Sequence, residues 1–264
     1  MPSSIKLKAE LGDDVNVLFV ESQATSPEDT EAFIYRTRWG GSQGLWTNEH
    51  PCESGGTGLP AFVLLGNDGR ALVTGYAEES KLKDLILAEI KTAKSAPKET
   101  PAPLLKAYTD FNKGAYAIAI LAAQKLAETP AADDKSGMAA AAKLRAEEWT
   151  KLATSRVERL KFLLESAQFA KADAEVLALK PAIKGLPTLE TKLTELSAKL
   201  AADDQKLARE AAKALDSLLA KVNDKGPDDK TTKELKKLAE KYGGTPPGER
   251  AAHLAKILDK KAAN

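Results

Sequence analysis

The chain has 264 residues, of which 29% are charged and 43% hydrophobic, and its formal net charge at pH 7 is +1. This length is typical of two domains and is sufficient to bury a sizeable core. Residues 1–98 carry 10 basic and 14 acidic side chains and the remainder carries 29 and 24, with the two signs interleaved. Because the basic residues form no stripe, the composition excludes nucleic-acid binding as the main function.

The first residues, Met1-Pro2-Ser3-Ser4-Ile5-Lys6, lack the apolar core of a signal peptide, and no stretch reaches transmembrane length. We therefore expect no membrane insertion by this chain. We expect a cytoplasmic protein if Met1 is the true start, and a periplasmic or secreted one if a signal precedes it. A single cysteine does not decide the redox compartment.

The first predicted elements are the end of a helix over residues 5–12 and a strand over residues 15–21. The strand, Val15-Asn16-Val17-Leu18-Phe19-Val20-Glu21, has the β-branched and aromatic composition of a central strand buried on both faces. A helix is then predicted from Pro27 to Trp39, because Ser26 can cap it and proline fits its first position.

A hairpin and a further helix are predicted next. The apolar runs Ala61–Leu65 and Ala71–Thr74 are joined by Asn67-Asp68-Gly69, which is typical of a tight turn between antiparallel strands. From Ser80 onward, apolar residues recur at helical spacing. The predicted apolar face of that helix consists of Leu82, Leu85, Ile86 and Ile90.

This order of elements, with Gly58-Leu59-Pro60 before the hairpin and Asn-Asp-Gly-Arg in its turn, resembles the thioredoxin superfamily. The branch it resembles contains secreted and membrane-anchored thiol-disulfide oxidoreductases, and the resemblance covers residues 5–95. It implies an α/β fold with a cis Leu59–Pro60 bond. It also implies that Gly58, Leu59 and Pro60 present a backbone edge to an extended peptide.

The family's first strand and its Cys-x-x-Cys motif have no counterpart here. Cys52 is the only cysteine, so a dithiol cycle is not available to the chain. Cys52 near His50 is a candidate reactive thiol, although a spare surface thiol is the favoured interpretation. We predict no catalytic residues, no metal and no cofactor. We also predict a four-stranded sheet in which the strand at 15–20 is an unprotected edge.

A proline-rich linker over residues 96–103 separates this domain, residues 1–95, from an all-α domain, residues 104–264. After the linker the strand signals end and helix signals take over. The predicted helices cover residues 104–112, 116–128, 134–169, 170–184, 188–201, 204–222, 230–242 and 246–260.

Two of the helix junctions resemble each other. Gly114-Ala115-Tyr116-Ala117-Ile118-Ala119 is similar to the turn of tetratricopeptide repeats, and Ala167-Gln168-Phe169-Ala170 echoes it. The two junctions lie 53 residues apart, whereas that repeat has about 34 residues. We predict degenerate helical hairpins that contact a protein or an extended peptide, and a plain helical bundle is the alternative.

The polar and aromatic residues of the all-α domain form no pattern that indicates catalysis or metal binding. His253 is interpreted as a solvated or capping side chain, and Trp149 and Phe162 as core residues. Capping explains the aspartate pairs at 133–134, 203–204 and 228–229. A solvated helix face, or a docking face for an acidic partner, is predicted for Lys230, Lys233, Lys236, Lys237 and Lys241.

The sequence therefore predicts α/β plus all-α architecture: a truncated thioredoxin-like domain followed by helical hairpins. The preferred function is that of a redox-inactive interaction or scaffold protein. The alternatives are a thiol-disulfide oxidoreductase whose Cys-x-x-Cys lies upstream of Met1, and an assembly factor that uses only its helical repeats.

Overall fold

The computed structural model describes residues 2–259 apart from residues 22, 40–44, 48, 50–51, 54, 56–57, 59–60, 67–68, 76–78, 99 and 129–136. Within these residues the fold is mainly helical, with eleven α-helices, two short 3-10 helices and four strands. Contacts divide the chain into two compact units. Unit 1 consists of Met1–Lys94, Leu215–Leu238 and Arg250–Asn264, and unit 2 of Ser95–Ala214 and Ala239–Glu249.

The elements of residues 1–94 alternate between helix and strand. They are α1 (Pro2–Leu11), β1 (Leu18–Val20), α2 (Pro27–Arg36), β2 (Leu45–Thr47), β3 (Phe62–Leu65), β4 (Ala71–Gly75) and α3 (Glu79–Lys94). The elements that follow are helices only. They are α4 (Ala102–Asn112), α5 (Tyr116–Ala127), α6 (Met138–Glu165), α7 (Phe169–Ala182), α8 (Pro187–Ala201), α9 (Lys206–Lys225), α10 (Asp229–Lys241) and α11 (Pro246–Asp259).

Every helix predicted from the sequence is present, and its ends lie within about one turn of the predicted positions. The caps show why. The Ser26 hydroxyl oxygen accepts the Asp29 N–H at 3.1 Å, and the Asp228 carboxylate accepts the Thr231 N–H at 2.6 Å. Each cap satisfies an amide that the first helical turn leaves without a partner.

Residues 203–204 lie in the first turn of a 3-10 helix, as predicted, but that helix begins without a side-chain cap. Asp203 instead forms an ion pair with Lys206 at 2.8 Å. The aspartate pair at 133–134 lies outside the described residues.

The strands differ from the predicted four-stranded sheet, because they form two separate two-stranded sheets. In the first, β1 pairs in parallel with β2 and Phe19 lies opposite Trp46. In the second, β3 and β4 form the predicted antiparallel hairpin, with an irregularity between Leu64 and Leu65. The turn specifies the β3–β4 pairing locally, whereas β1 and β2 are separated by α2, so local sequence patterns do not specify how β1 pairs.

Two predictions of burial in this region are also wrong. The strand at 15–21 was expected to be covered on both faces, but Leu18 and Val20 in β1 are 44% and 38% exposed. Parallel strands are normally covered by helices on both sides, and a two-stranded sheet leaves more surface to solvent. In α3, Ile86 is buried as predicted, whereas Leu85 is 44% exposed.

The core of unit 2 consists mainly of leucines and alanines, together with Ile120, Val157, Ile183 and a cluster of aromatic rings. Trp149 is 4% exposed, which confirms it as a core residue. Its ring stacks on Phe111 with 5.0 Å between centroids. Phe162 was also predicted to be buried but is 60% exposed, because it lies on the opposite face of α6 from Trp149.

The two similar junctions have the same backbone geometry. Gly114 and Ala167 both adopt positive φ, at 81° and 53°. The next N–H then reaches back five residues: Ala115 donates to the Asp110 carbonyl at 2.9 Å, and Gln168 to the Leu163 carbonyl at 2.8 Å. These are Schellman motifs, which end one helix and let the next begin two residues later.

We predict that Ala167→Gly raises the free energy of unfolding by about 0.5 to 1 kcal/mol, because glycine has no Cβ to clash in the left-handed region. Urea unfolding of the whole chain measures the change. The control, Ala178→Gly, places glycine at an exposed interior position of α7 and should lower stability by about 1 kcal/mol. Equal losses in both variants would contradict the expected strain at Ala167.

Candidate functional site

Unit 2 contains an open groove, called here the aromatic groove, with a volume of about 380 Å³. Its walls come from the last turn of α4, the first turn of α5 and the middle of α6. Its lining residues are Phe111, Tyr116, Leu152, Ser155 and Arg156. Because Tyr116 follows the Gly114 turn directly, the Schellman motif sets the position of one wall.

The aromatic rings of the groove are held by rings in the core. Phe111 lies between Trp149, which it stacks on at an interplanar angle of 13°, and Tyr116, whose ring centroid is 5.0 Å away. Tyr108 meets Trp149 edge-on, also with 5.0 Å between centroids. Such aromatic pairs contribute stabilising free energy in addition to that of the apolar area they bury. The wall of the groove is therefore rigid.

A half-buried ion pair lies at the edge of the groove. Arg156 Nε donates to the Glu175 carboxylate at 2.8 Å, and Arg156 Nη1 donates to the Tyr116 hydroxyl at 2.5 Å. The hydrogen bond that Arg156 donates to Glu175 is the main cause that raises the pKa of Arg156, against the opposing effect of burial. Arg156 is therefore a fixed positive charge in the groove.

The guanidinium of Arg156 retains donors for a ligand. It carries five N–H groups, and the contacts to Glu175 and Tyr116 use two of them. The other three have no protein partner in the described part of the chain, and the Arg156 side chain is 36% exposed. An anionic group placed in the groove would therefore meet hydrogen-bond donors that are already oriented.

Apolar surface continues beside Arg156. Leu152 lines the groove and is 57% exposed. Two further large apolar side chains lie on solvent-facing positions of α6: Leu144 is 50% exposed and Phe162 is 60% exposed. The groove therefore combines exposed apolar surface with one fixed cation.

Unit 1 contains a second buried polar cluster, which centres on Glu31 of α2. The Glu31 side chain is 6% exposed and pairs with Arg250. Its other carboxylate oxygen lies 2.7 Å from His253 Nε2. The interpretation of His253 as a solvated or capping side chain is therefore wrong, because the imidazole binds a carboxylate that is 222 residues away in the chain.

Tyr35 completes this cluster, because its hydroxyl interacts with the Arg250 guanidinium. Burial is the largest cause that raises the pKa of Tyr35, the Arg250 charge opposes it, and the Glu31 charge adds to it. For Arg250, burial acts to lower the pKa, but the hydrogen bond and charge of Glu31 outweigh it and the pKa is raised. The charges of this cluster therefore stabilise one another.

The residues predicted as a site are only partly described. Cys52 is an exposed free thiol and Gly58 is exposed, whereas Leu59, Pro60 and His50 lie outside the described residues. The peptide-binding edge and the cis bond therefore stay predictions. Among the residues described, no three or more His, Cys, Asp or Glu side chains are grouped so that they could hold a metal ion.

The lysines of α10 are solvent-exposed, as the sequence predicts. Lys236 forms an ion pair with Asp259 at 2.6 Å, and Lys241 donates to the Tyr242 hydroxyl at 2.9 Å. The aromatic groove itself was not predicted. The Gly-Ala-Tyr sequence identified Tyr116 as part of a helix junction. No feature of the sequence predicted that Arg156 pairs with Glu175.

Comparison with protein-family models, curated proteins and solved structures finds no match to this chain. The resemblances to thioredoxins and to tetratricopeptide repeats therefore gain no support from overall similarity. Within the described ranges, no helix is both long and apolar enough to cross a membrane. The function is therefore inferred from the geometry of the chain itself.

We predict that Arg156→Met lowers the free energy of unfolding by about 2 to 3 kcal/mol, because it leaves Glu175 buried without its cationic partner. Urea unfolding measures the loss, and Arg156→Met combined with Glu175→Leu should recover part of it. The control is Arg159→Met, an exposed arginine on the same helix, which should change stability by less than about 0.5 kcal/mol. A similar loss in both single variants would show that the ion pair is not the cause.

We also predict that stability falls at alkaline pH through Tyr35. Its folded pKa is raised, so its contribution is complete below the unfolded pKa of about 10 and is lost as the pH rises through the folded pKa. Urea unfolding between about pH 9 and 11 should show a smaller loss for Tyr35→Phe than for the wild type. Parallel losses in the two proteins would exclude Tyr35 as the source.

Proposed function

We propose that the chain is a non-enzymatic interaction scaffold and that its aromatic groove binds a short segment of a partner protein. The observation that carries the proposal is the combination, in one groove, of a rigid aromatic wall, the exposed Leu152 and an arginine with oriented donors. A partner segment with an apolar side chain next to an acidic residue fits this combination. The apolar side chain would cover Leu152, and the carboxylate would accept from Arg156.

The free energies of the two proposed contacts favour weak, transient binding. Full burial of one large apolar side chain contributes about 1.5 to 3 kcal/mol, and a hydrogen bond to a charged group about 1.5 to 3 kcal/mol. Association itself costs several kcal/mol in lost freedom. Because the two contributions together reach at most about 6 kcal/mol before that cost is subtracted, these two contacts alone support a dissociation constant no tighter than the millimolar range.

The buried charges favour a scaffold over an enzyme. A general acid or base has to exchange its proton with a substrate, whereas Glu175 is held by Arg156, and Glu31 by Arg250 and His253. Cys52 has no second thiol in the sequence to resolve a mixed disulfide. We extend the proposal to unit 1, which acts as a redox-inactive support or peptide-binding module.

A random peptide library displayed on phage tests the groove with the full chain as bait. We expect the enriched peptides to share an aliphatic or aromatic residue beside Asp or Glu. A synthetic peptide of the enriched sequence should bind the wild type, and Leu152→Asp should weaken that binding at least about tenfold, because it removes apolar contact and repels the carboxylate.

The matched control is Leu177→Asp, which changes a leucine of α7 that is 75% exposed and does not line the groove. This variant should bind like the wild type. If no sequence is enriched, or if both variants lose binding equally, the groove is not the binding site.

A further inference from the structure

We infer that β1 is a dimerisation strand, whose open edge pairs antiparallel with β1 of a second copy of this chain. This inference is independent of the aromatic groove. It begins with the hydrogen bonds of β1: the Glu21 N–H donates to the Thr47 carbonyl at 2.9 Å. Main-chain groups alternate between the two edges of a strand. Those of Phe19 and Glu21 therefore face β2, and those of Leu18 and Val20 face the other edge.

No strand among the described residues lies along that second edge. The sheet contains β1 and β2 alone, and no other described strand joins it. The side chains agree with an uncovered strand, since Leu18 is 44% exposed and Val20 is 38% exposed. An isolated two-stranded sheet is marginal in water, so a further strand at this edge would be stabilising.

The strand also lacks the features by which proteins protect their edges. Such edges usually carry lysine, proline or a bulge, whereas the segment Val15-Asn16-Val17-Leu18-Phe19-Val20 has no charge, no proline and no glycine. The observed pairing of Leu18 to Val20 with β2 is regular. This composition is typical of segments that pair with copies of themselves.

The two acids next to the segment are neutralised or turned away. Asp14 forms an ion pair with Lys94 at 2.6 Å. The Glu21 carboxylate accepts the N–H groups of Gln23 at 2.6 Å and Thr25 at 3.1 Å, which binds it to its own following turn. These contacts reduce the like-charge repulsion between two copies.

A second copy fits the edge better than an arbitrary peptide, because the strand is complementary to itself. With Leu18 opposite the Leu18 of the other copy, Val20 lies opposite Asn16 of that copy, and each such pair exchanges two main-chain hydrogen bonds. The contact is isologous and closes with two-fold symmetry. The result is a four-stranded sheet in the order β2, β1, β1, β2, which meets the strand number that independent sheets need.

Sedimentation velocity of the full chain over a wide concentration range tests the inference. We expect a reversible dimer for the wild type. Leu18→Lys, which places charge on the open edge, should raise its dissociation constant at least about tenfold. The control is Leu65→Lys, which changes a leucine with 48% exposure in the other sheet and should leave the dimer unchanged.

A second variant and a second measurement separate pairing from misfolding. Val20→Pro removes a donor on the open edge only and keeps those that face β2, so it should yield a monomer with an unchanged circular dichroism spectrum. In the wild type, the amides of Leu18 and Val20 should exchange hydrogen more slowly as concentration rises, while the amide of Phe19 stays protected throughout. A wild-type monomer at all concentrations overturns the inference, as does a dimer that survives both Leu18→Lys and Val20→Pro.

Discussion

The close approach of helices through buried alanines is the constraint on which unit 2 depends. Alanines at the contact faces of α5 and α6 are at most 5% exposed, among them Ala119, Ala123, Ala142, Ala146 and Ala153. A single methyl group lets two helix axes approach toward the lower end of the usual 8 to 10 Å. This approach brings Tyr116 of α5 within hydrogen-bond distance of Arg156 of α6. A larger side chain at any of these alanines would separate the two helices, and with them the two walls of the aromatic groove.

The positions of the helices could be predicted from the sequence because their ends are local. Ser26 and Asp228 cap amides three residues away, and Gly114 ends α4 through its own backbone conformation. The sequence also contains the information that Trp149 is buried and Phe162 is exposed. The two residues are thirteen positions apart on one helix, which places them on opposite faces, and Trp149 shares its face with Ala146 and Ala153. A helical projection of α6 contains that information.

The arrangement of the strands and the partners of the charged residues could not be predicted in the same way. Whether β1 pairs with β2 alone or with β3 as well depends on contacts between distant segments. Likewise, the sequence shows that Glu31, Glu175 and His253 are titratable, but not that Glu31 lies beside His253 or that Glu175 lies beside Arg156. Of the residues that line the aromatic groove, only Tyr116 was identified from the sequence, through the turn at Gly114. Of the other lining residues, Phe111 comes from the end of α4, and Leu152, Ser155 and Arg156 come from the middle of α6, so their proximity results from helix packing.

The pairing of Glu31 with Arg250 has a consequence for the order in which a ribosome makes this protein. The two residues are separated by 219 positions, and translation proceeds at about 5 to 20 residues per second. Arg250 is therefore synthesised about 10 to 45 s after Glu31. During this interval Glu31 and Tyr35 of α2 lack the arginine of α11 with which both interact in the folded protein. Molecular chaperones recognise transiently exposed surfaces, so the first 94 residues would be their natural client until synthesis ends.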